Sequence, residues 1–491
     1  MDEWQRVNPS RLVPLLGEWT GPGGALSRNL ASALRDLIQL EELPPGAVLP
    51  SERALAVALA VSRTTVLAAY GMLRDEDLID RHVGRGTWIT PRRDTGGQVT
   101  FNGPRGEDRV ARYFRHPASV VDFTNAAVPG LPLVAEVVGA LTSRDFAPLV
   151  DSHGYGPLGL PDLRALIAAR YTSVGAPTTA DQILITSGAQ QALELLTAAL
   201  IKAGDLVLVD DPTFRAALQR LRACGARLHA IPMDEDGTDA QAVEQATRKL
   251  SPQLMYLLPS IHNPTGAATT ADRASRLAAL AARSHTLVVD DTSLATTSFD
   301  SRRTVPMVAL ENSEWIVTIG SFSKIFWGGL RLGWLRASPR IIRELTDIKA
   351  VADLGSSQVS QLVAINLFPY LDRAIRERRE TLTLGLDRLT GLLTQSLPGW
   401  SWQRPNGGAS LWVRLPFPCA TAFAEFARRQ GVAVIPGPVF SPTENFNDRL
   451  RLPFAIKSNI MEAGVRRLTL AWDDFTYHQH SQALPRTEPY V

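Results

Sequence analysis

Short apolar runs that alternate with helical stretches are the feature that most constrains the fold of this 491-residue chain. From about residue 122 onward these runs lie at 183–185, 206–209, 254–258, 287–289 and 315–319. Such alternation is typical of a doubly wound α/β domain with a mostly parallel sheet, whose ligands bind beyond the carboxyl ends of the strands. We therefore expect functional residues directly after the runs.

A different pattern precedes this α/β region. Residues 26–42 carry apolar positions at helical spacing, and the run LPPG at 43–46 ends that helix. Ser51 and Ser62 are placed to cap two further short helices, and residues 78–89 read as two strands around a glycine-containing turn. This order predicts a winged helix-turn-helix domain.

Polar residues cluster where the third helix of this domain begins, at 62–65. Their hydroxyls, the Arg63 guanidinium and the free N–H groups of a helix N-terminus all attract phosphate oxygens. Arg63 is equally suited to pair with the edge of a guanine. Taken singly, each basic residue here is as well explained as a solvated surface charge, whereas the ordered set favours DNA contact.

Residues 26–89 resemble the winged-helix DNA-binding domain of the GntR family through LPPG at 43–46, LPSER at 49–53, VSRTT at 61–65 and GRGT at 84–87. The resemblance implies a double-stranded DNA operator as partner. The DNA-contacting positions that it implies are Arg53, Ser62, Arg63, Thr64, Thr65, Gly84, Arg85 and Gly86.

A lysine follows the last of the apolar runs, in SFSK at 321–324. Pyridoxal phosphate (PLP) needs an amine for its aldehyde, a carboxylate for its ring nitrogen, a phosphate cup and a flat ring to stack on. Partial desolvation would shift Lys324 toward the neutral amine that forms a Schiff base with PLP. Ser321 and Ser323 add hydroxyls, and Arg331 offers a forked cation to the phosphate.

The other PLP-binding groups are expected after earlier strands. Ser187, Gly188, Ala189 and Gln190 open a helix whose N–H groups can cradle the phosphate. Phe214 can stack on the ring and Asn263 can donate to its phenolate oxygen.

Two adjacent aspartates, Asp290 and Asp291, end the strand at 287–289, and one of them is expected to pair with the ring nitrogen. Neighbouring strand residues point to opposite faces of a sheet, so only one of the two can face PLP. The spacing of Asp291 to Lys324 is closer to the pattern of the aminotransferase family that this region resembles, which favours Asp291, and the alternative stays open.

Together with YGPLG at 155–159 and RLPFA at 451–455, these elements resemble the fold-type I aminotransferases over about residues 122–474. The resemblance implies that Arg451 binds an effector carboxylate, although a structural ion pair would also explain this arginine. A GntR-type domain joined to such a domain resembles the MocR-type transcriptional regulators. This resemblance also implies that the protein forms a homodimer.

One position departs from the aminotransferase pattern. The family usually places a tyrosine two or three residues after the pyridine aspartate, where this chain has Thr292, Ser293 and Leu294. We therefore expect a PLP-dependent transcription regulator that senses PLP, an amine or an amino acid, with at most an aminotransferase half-reaction. The alternative is a working aminotransferase that carries a DNA-binding module.

The expected domains are a winged helix-turn-helix at 22–90, a linker at 91–120, a PLP-binding and effector domain at 121–474 with a small C-terminal α/β subdomain, and a disordered tail at 475–491. A net charge of +2 requires any basic DNA-binding surface to be local. Only two cysteines occur, no apolar stretch reaches membrane length, and the N-terminus lacks an export pattern. We therefore expect a cytoplasmic protein without a metal site.

Overall fold

The computed structural model describes residues 6–17, 19–20, 25–39, 42–82, 86–90, 119–300, 306–311 and 314–483. Almost all of the linker predicted at 91–120 lies outside these residues. Residues 6–90 are called the head below, and residues 119–483 the body.

The head is a small helical domain with a three-stranded sheet. Its helices are α1 Pro9–Leu16, α2 Leu26–Gln39, α3 Glu52–Leu59 and α4 Arg63–Asp75, and its strands are β1 Val48–Leu49, β2 Ile79–His82 and β3 Gly86–Ile89. The strands are antiparallel in the order β1-β3-β2. Leu12 and Leu15 of α1 pack in the head core with Leu30 and Val66. The head therefore begins before residue 22, the start that the sequence predicted.

The body is built around an eight-stranded mixed sheet. Its strands are β5 Ile183–Thr186, β6 Leu206–Asp211, β7 Arg227–Asp234, β8 Gly237–Thr238, β9 Leu254–Leu257, β10 Leu287–Asp291, β11 Ile316–Ser321 and β12 Gly333–Arg336. Their order is β5-β12-β11-β10-β9-β6-β7-β8, and β12 runs antiparallel to both of its neighbours. Strand β10 pairs in parallel with β9 and β11, and β6 pairs in parallel with β7 and β9. The predicted doubly wound α/β class is confirmed.

Helices cover both faces of this sheet. They are α5 Pro132–Ala140, α6 Ser143–Val150, α7 Pro161–Ser173, α8 Ala189–Leu200, α9 Arg215–Ala223, α10 Ala240–Leu250, α11 Ala271–Ser284, α12 Met307–Leu310, α13 Pro339–Asp353 and α14 Gln358–Leu367. One apolar core lies between the sheet and α5, α7, α10 and α11, and the other between the sheet and α8, α9 and α13. Alternate strand residues enter each core, as for Val288 in the first and Val289 in the second.

A smaller C-terminal subdomain completes the body. It contains α15 Leu371–Ser396, α16 Ala420–Arg429 and α17 Ser458–Ala483, with strands β13 Ser401–Trp402, β14 Ser410–Arg414, β16 Ile435–Pro436 and β17 Arg449–Pro453 in one sheet. Strand β4 Val121–Asp122 pairs in parallel with β15 Val432–Ala433. Because α17 continues to Ala483 and Phe475 is 2% exposed, residues 475–483 are helical and not part of a disordered tail as predicted.

The head contacts the C-terminal subdomain directly. The Arg429 guanidinium, at the end of α16, donates to the main-chain oxygens of Leu59 and Ala60 at 3.0 Å each. A second contact joins Asn8 Nδ2 to Glu444 Oε2 at 2.9 Å. Helix α3 ends at Leu59, so Arg429 supplies hydrogen bonds to carbonyls that no further helical turn can satisfy.

None of the described helices is by itself long and apolar enough to cross a bilayer. Helices α3 and α4 reach that length and apolar composition only when they are taken together, and the chain bends sharply between them.

Candidate functional site

The N-terminus of α4 presents polar groups at the surface of the head. Ser62 caps the helix by accepting a hydrogen bond from the Thr65 N–H at 3.1 Å, and its hydroxyl also contacts those of Thr64 and Thr65 at 2.7 and 2.8 Å. The first turn contains no acidic residue, and the Arg63 side chain is 67% exposed. This helix end is therefore suited to phosphate or base contact.

An acidic residue that the sequence reading missed organises the arginines around this helix end. Glu52, at the start of α3, lies 3.8 Å from Arg63 Nη2 and 3.2 Å from Arg81 Nη1 on β2. Arg53, the next residue of α3, is exposed. Both guanidiniums are more than half exposed, so the ion pairs orient them more than they stabilise the head.

The turn between β2 and β3 is described in part. Gly84 and Arg85 lie outside the described residues. Gly86 opens β3 with φ +99°, and a Cβ atom there would lie 3.3 Å from Val48 Cγ1. A side chain at this position would therefore strain the turn between β2 and β3.

Helix α8 begins after β5, at the place where the sequence predicts a phosphate cup. Gly188 is the N-cap of α8, has φ +95°, and makes no side-chain cap, which leaves the first N–H groups of the helix, including those of Ala189 and Gln190, open to an anion. Arg331 Nη2 donates to the Ser187 carbonyl at 2.8 Å, and a Cβ atom on Gly188 would lie 3.4 Å from it. The Arg331 guanidinium and the N-terminus of α8 therefore lie next to each other, where both can contact one anion.

Lys324 lies in the turn after β11. Its ammonium donates to the Ala126 carbonyl at 2.8 Å, and the Ser321 hydroxyl accepts the Ser323 N–H at 3.1 Å. Burial, with smaller contributions from the positive charges of Arg451 and Arg378, lowers the pKa of Lys324 to about 8. A substantial fraction of this lysine is therefore neutral near physiological pH.

The two aspartates of β10 point to opposite faces of the sheet. Asp290 accepts the Met307 N–H at 2.9 Å on the face of the first core, and burial raises its pKa to about 7. Asp291 accepts the Tyr256 hydroxyl at 2.6 Å on the face of the second core. Phe214 and α8 pack against that second core, so Asp291 shares its face with the ring-stacking and phosphate residues.

Tyr256 is a second residue that the sequence reading missed. It is fully buried, and burial next to the Asp291 charge raises the pKa of its hydroxyl well above the usual value. The hydroxyl therefore stays protonated and donates to Asp291. It holds the carboxylate in one orientation, and the remaining lone pairs can accept another donor.

Asn263 and Phe214 lie beyond the ends of β9 and β6. Asn263 Oδ1 is buried and has no hydrogen-bond partner among the described residues. Phe214 is partly buried where α9 begins. An amide and an aromatic ring are thus available at the same edge of the sheet as Lys324, as the topology predicts.

The residues that replace the family tyrosine do not supply an equivalent hydroxyl. Thr292 Oγ1 donates to the Ile319 carbonyl at 2.7 Å, the Ser293 N–H donates to Asp291, and Leu294 is buried. The Thr292 hydroxyl is engaged with the main chain of β11, so it is not directed as a tyrosine would be.

Arg451 lies on β17 and is 4% exposed. Its Nη2 donates to the Thr124 carbonyl at 2.6 Å, and its Cζ lies 5.0 Å from the centroid of the Phe440 ring. Its Nε has no hydrogen-bond partner among the residues that the structure describes. Arg451 makes no close ion pair in the described part of the chain, so the geometry gives no support to a structural ion pair.

These residues fit PLP. The uncapped helix end at Gly188 and the open Nε of Arg451 are hydrogen-bond donors for which a phosphorylated, carboxylate-bearing ligand would provide acceptors. Lys324 and Asp291 supply the amine and the carboxylate. Among the described residues no cluster of His, Cys, Asp and Glu is suited to hold a metal ion.

Comparison with known proteins gives two matches to family models. Residues 134–468 match aminotransferase class I and II, and residues 26–89 match the bacterial regulatory proteins of the gntR family. The chain is 28% identical over 467 residues to the uncharacterised HTH-type transcriptional regulator YisV of Bacillus subtilis, covering 90% of this chain and 94% of that protein.

Two further similarities cover different parts of the chain. The HTH-type transcriptional regulator YdcR of Escherichia coli, also uncharacterised, is 27% identical and is matched over 93% of its length and 86% of this chain. The crystal structure of LysN, an α-aminoadipate aminotransferase from Thermus thermophilus complexed with N-(5'-phosphopyridoxyl)-L-leucine, superposes with a TM-score of 0.67 at 26% identity. It covers 74% of this chain and 94% of that one.

Proposed function

Since this chain belongs to the aminotransferase class I and II family and carries a GntR-family DNA-binding domain as its head, we propose that it is a transcription regulator whose operator binding is controlled by PLP, or by an amine or amino acid that reacts with PLP at Lys324. PLP, when bound, supplies an electron-withdrawing ring that activates an attached amine. The residues of the chain hold that ring and bind the ligand.

One observation carries the sensing part of the proposal. Lys324 and Arg451, the two groups assigned to the ligand, both donate to main-chain carbonyls of one segment, those of Ala126 and Thr124. A ligand that takes up the Lys324 amine and the Arg451 guanidinium competes with both hydrogen bonds. Occupancy of the pocket therefore changes how residues 124–126 are held.

This segment is connected to the head contact. It directly follows β4, which pairs with β15, and β15 follows α16 after a short turn. Arg429 at the end of α16 binds the carbonyls of Leu59 and Ala60, next to the start of α4. A shift of residues 124–126 can thus reach the DNA-binding helix through three contiguous elements.

Ligand control requires two arrangements that bind the ligand with different affinity. In the described arrangement the carbonyls of Thr124 and Ala126 occupy the ligand-binding cations. We propose that ligand favours a second arrangement in which these carbonyls are released and the contact through Arg429 is altered.

A working aminotransferase is the second candidate function. The presence of Lys324, Asn263 and Asp291 at one sheet edge favours it. The Thr292 hydroxyl, in the region where the family has a tyrosine, donates to the Ile319 carbonyl, and this counts against efficient turnover because Asn263 is then left as the one assigned donor to the ring oxygen.

We also propose that the protein is a homodimer. Several large apolar side chains are exposed on α5, α6, α13, α14 and the loops beside them: Val138, Val150, Tyr155, Trp327, Val351, Leu354 and Val359. Trp327 lies three residues after Lys324, so this surface borders the PLP site. Exposed apolar side chains on several elements of one region support a protein interface there.

The test is a DNA-binding titration of the full chain against the region upstream of its own gene, with and without PLP and candidate amino acids. We expect PLP, alone or with one amino acid, to change operator affinity at least about tenfold, a coupling of about 1.4 kcal/mol. Lys324→Ala should remove this response and the visible absorption of bound PLP. Lys202→Ala, at an exposed lysine, is the control and should respond normally.

Arg429→Gln tests the connection to the head. It should retain PLP absorption and lose most of the response of DNA binding to ligand, whereas Arg414→Gln, on the exposed side of β14, should retain both. Unchanged operator affinity in protein that demonstrably binds PLP and amino acid would reject the regulatory proposal. Sustained multi-turnover transamination would support the second candidate.

A further inference from the structure

A second buried lysine, Lys349 on α13, has no role in the site described above. Its side chain has no exposed surface. Lysine is almost never fully buried unless its charge is paired, and here the Asp353 carboxylate, one helical turn later, accepts from the ammonium at 2.7 and 2.9 Å. Ion pairs at this spacing form readily on exposed helix surfaces, so the pairing alone does not explain why Lys349 is buried.

The ammonium of Lys349 has a third hydrogen-bond acceptor, which lies outside α13. Its Nζ donates to Gln191 Oε1 at 3.0 Å, and Gln191 lies in the first turn of α8. The same Oε1 accepts the Ser187 N–H at 2.7 Å, and Gln191 Nε2 donates to Asp353 Oδ2 at 2.6 Å. The ion pair of α13 therefore holds both the oxygen and the nitrogen of one amide on α8.

The pattern of donors and acceptors fixes the orientation of this amide. An ammonium and a backbone N–H can only donate, and a carboxylate can only accept. The Gln191 oxygen must therefore face Lys349 and Ser187, while its nitrogen faces the carboxylate. If the amide were turned over, its nitrogen would face two donors and its oxygen would face another oxygen. The buried ammonium is thus one of the groups that select a single orientation.

The amide of Gln191 is connected to the phosphate cup through Ser187. The main chain of Ser187 is held on both sides, because its N–H donates to Gln191 and its carbonyl accepts Arg331 Nη2 at 2.8 Å. Its hydroxyl contacts that of Ser356, in the turn after α13, at 3.2 Å. Ser187 directly precedes Gly188, the N-cap of α8. Both groups assigned to the phosphate, the guanidinium and the helix end, therefore adjoin this one residue.

We propose that Lys349 is a positioning residue for the phosphate of PLP: it fixes Gln191, which in turn fixes the main chain of Ser187 beside the phosphate-binding groups. Its three donors are already used, so Lys349 holds the cup without contacting the phosphate. Asp353 balances its charge, and its contribution is therefore one of geometry. The inference rests on the part of the proposed function in which PLP binds at Lys324, and not on the control of DNA binding.

The experiment compares two aldehydes on full-length protein freed of cofactor. Pyridoxal has the ring and aldehyde of PLP but lacks the phosphate, and visible absorption follows the binding of each. We expect wild-type protein to bind PLP at least about 100-fold more tightly, because charged hydrogen bonds hold the phosphate. Lys349→Met should reduce this preference at least about tenfold through lost PLP affinity, with pyridoxal affinity changed by less than about threefold. The hemiacetal that free pyridoxal forms weakens its binding equally in every variant.

A second variant tests whether Lys349 acts through Gln191. Gln191→Met keeps the ion pair with Asp353, removes the amide and should lose the same preference for phosphate. The double variant Lys349→Met with Gln191→Met should lose no more than either single variant, because the two residues act in series. If Lys349→Met does not fold, Gln191→Met decides, since the proposal gives Lys349 no other connection to the phosphate.

Arg340→Gln is the matched control. It breaks an ion pair with Glu344 that has the same spacing on the same helix, at exposed positions. It should leave the preference for PLP over pyridoxal unchanged. Thermal unfolding of each variant shows whether it is folded.

Four results would overturn the inference. An equal loss of PLP and pyridoxal affinity in Lys349→Met would indicate a lysine that serves stability alone, and an unchanged preference would indicate no role. Additive losses in the double variant would indicate a connection that bypasses Gln191, and a wild-type protein that binds both aldehydes alike would have no phosphate cup. The proposed function fails separately, when bound PLP and amino acid leave the operator affinity of the wild-type protein unchanged.

Discussion

At the scale of single residues, the amine of Lys324 combines two properties that are rarely found together in a lysine. It is held in one place by the Ala126 carbonyl, and burial beside Arg451 lowers its pKa to about 8. The neutral amine is the nucleophile toward an aldehyde. The positive charges that surround Lys324 therefore serve reactivity as well as ligand binding.

The first prediction concerns pH. The rate at which protein without cofactor captures PLP should rise about tenfold per pH unit below pH 8 and level off above it, because the neutral fraction of Lys324 follows its pKa. Arg451→Gln should move the midpoint to higher pH, since removing a neighbouring positive charge raises the pKa. Stopped-flow absorbance measures both.

The surface variant Arg340→Gln should leave that midpoint in place. A rate independent of pH between 6 and 9, or a midpoint that Arg451→Gln moves downward, would contradict the explanation.

Most of the residues proposed for the PLP site follow recognisable strands, so the sequence is enough to nominate them, but it does not predict their partners. The sequence shows that Asp290 and Asp291 face opposite ways, whereas the choice between them depends on Tyr256 and Met307, which approach from other elements. Glu52 and Arg429 were missed for the same reason. Each acts on a residue distant in sequence, and nothing in its own neighbourhood marks it.

At the scale of elements, α4 depends on its first residues for both stability and DNA contact. Ser62 caps α4 as Ser51 caps α3, each by accepting an N–H three residues later. The two serines form a natural comparison because they have the same structural role, but only Ser62 is joined to the hydroxyls of Thr64 and Thr65.

The second prediction uses this pair. Ser51→Ala and Ser62→Ala should each reduce the stability of the head by about 1 kcal/mol, the usual cost of losing such a cap. Only Ser62→Ala should also weaken operator binding, by about tenfold, because a hydrogen bond to a charged phosphate is lost. Thermal unfolding and electrophoretic mobility shift of the full chain measure the two effects.

Equal losses of operator affinity in both variants would indicate that α4 needs its cap and makes no contact through Ser62.

Among the elements, the predicted strands β5, β6, β9, β10 and β11 are those buried on both faces, which gives them continuous apolar runs. Strand β7 is largely half-exposed, with Ile231 as its one buried residue, β1 has two residues, and β12 has the sequence GWLR in place of an apolar run, so the sequence did not reveal them.

At the scale of the whole molecule, the apolar surface beside the PLP site is the feature most in need of a partner. Val351 is 91% exposed, and Leu354 and Val359 are each about half exposed on the adjoining turn and helix. The Gly156 N–H donates to the Leu354 carbonyl, which connects this surface to the loop that carries Tyr155. A second copy of the chain would cover it.

The third prediction follows from this surface. Val351→Glu combined with Val359→Glu should convert the dimer to a monomer in light scattering at micromolar concentration, because a carboxylate cannot be buried there without a partner. Operator binding should weaken, since two half-sites are no longer held together. Leu384→Glu, at an equally exposed leucine of α15, should leave the mass unchanged. A monomeric wild-type protein would refute the assignment.

The hydrogen bonds from Arg429 to the end of α3 have a consequence for modularity. The sequence predicts a DNA-binding module and an aminotransferase-like module with a linker as the border between them. Hydrogen bonding crosses that border, because an arginine of one module donates to the last carbonyls of a helix of the other. A head moved onto another body would keep these hydrogen bonds only where that body carries a donor at the position of Arg429. Exchange of the head alone is therefore expected to break a contact that exchange of the whole chain preserves.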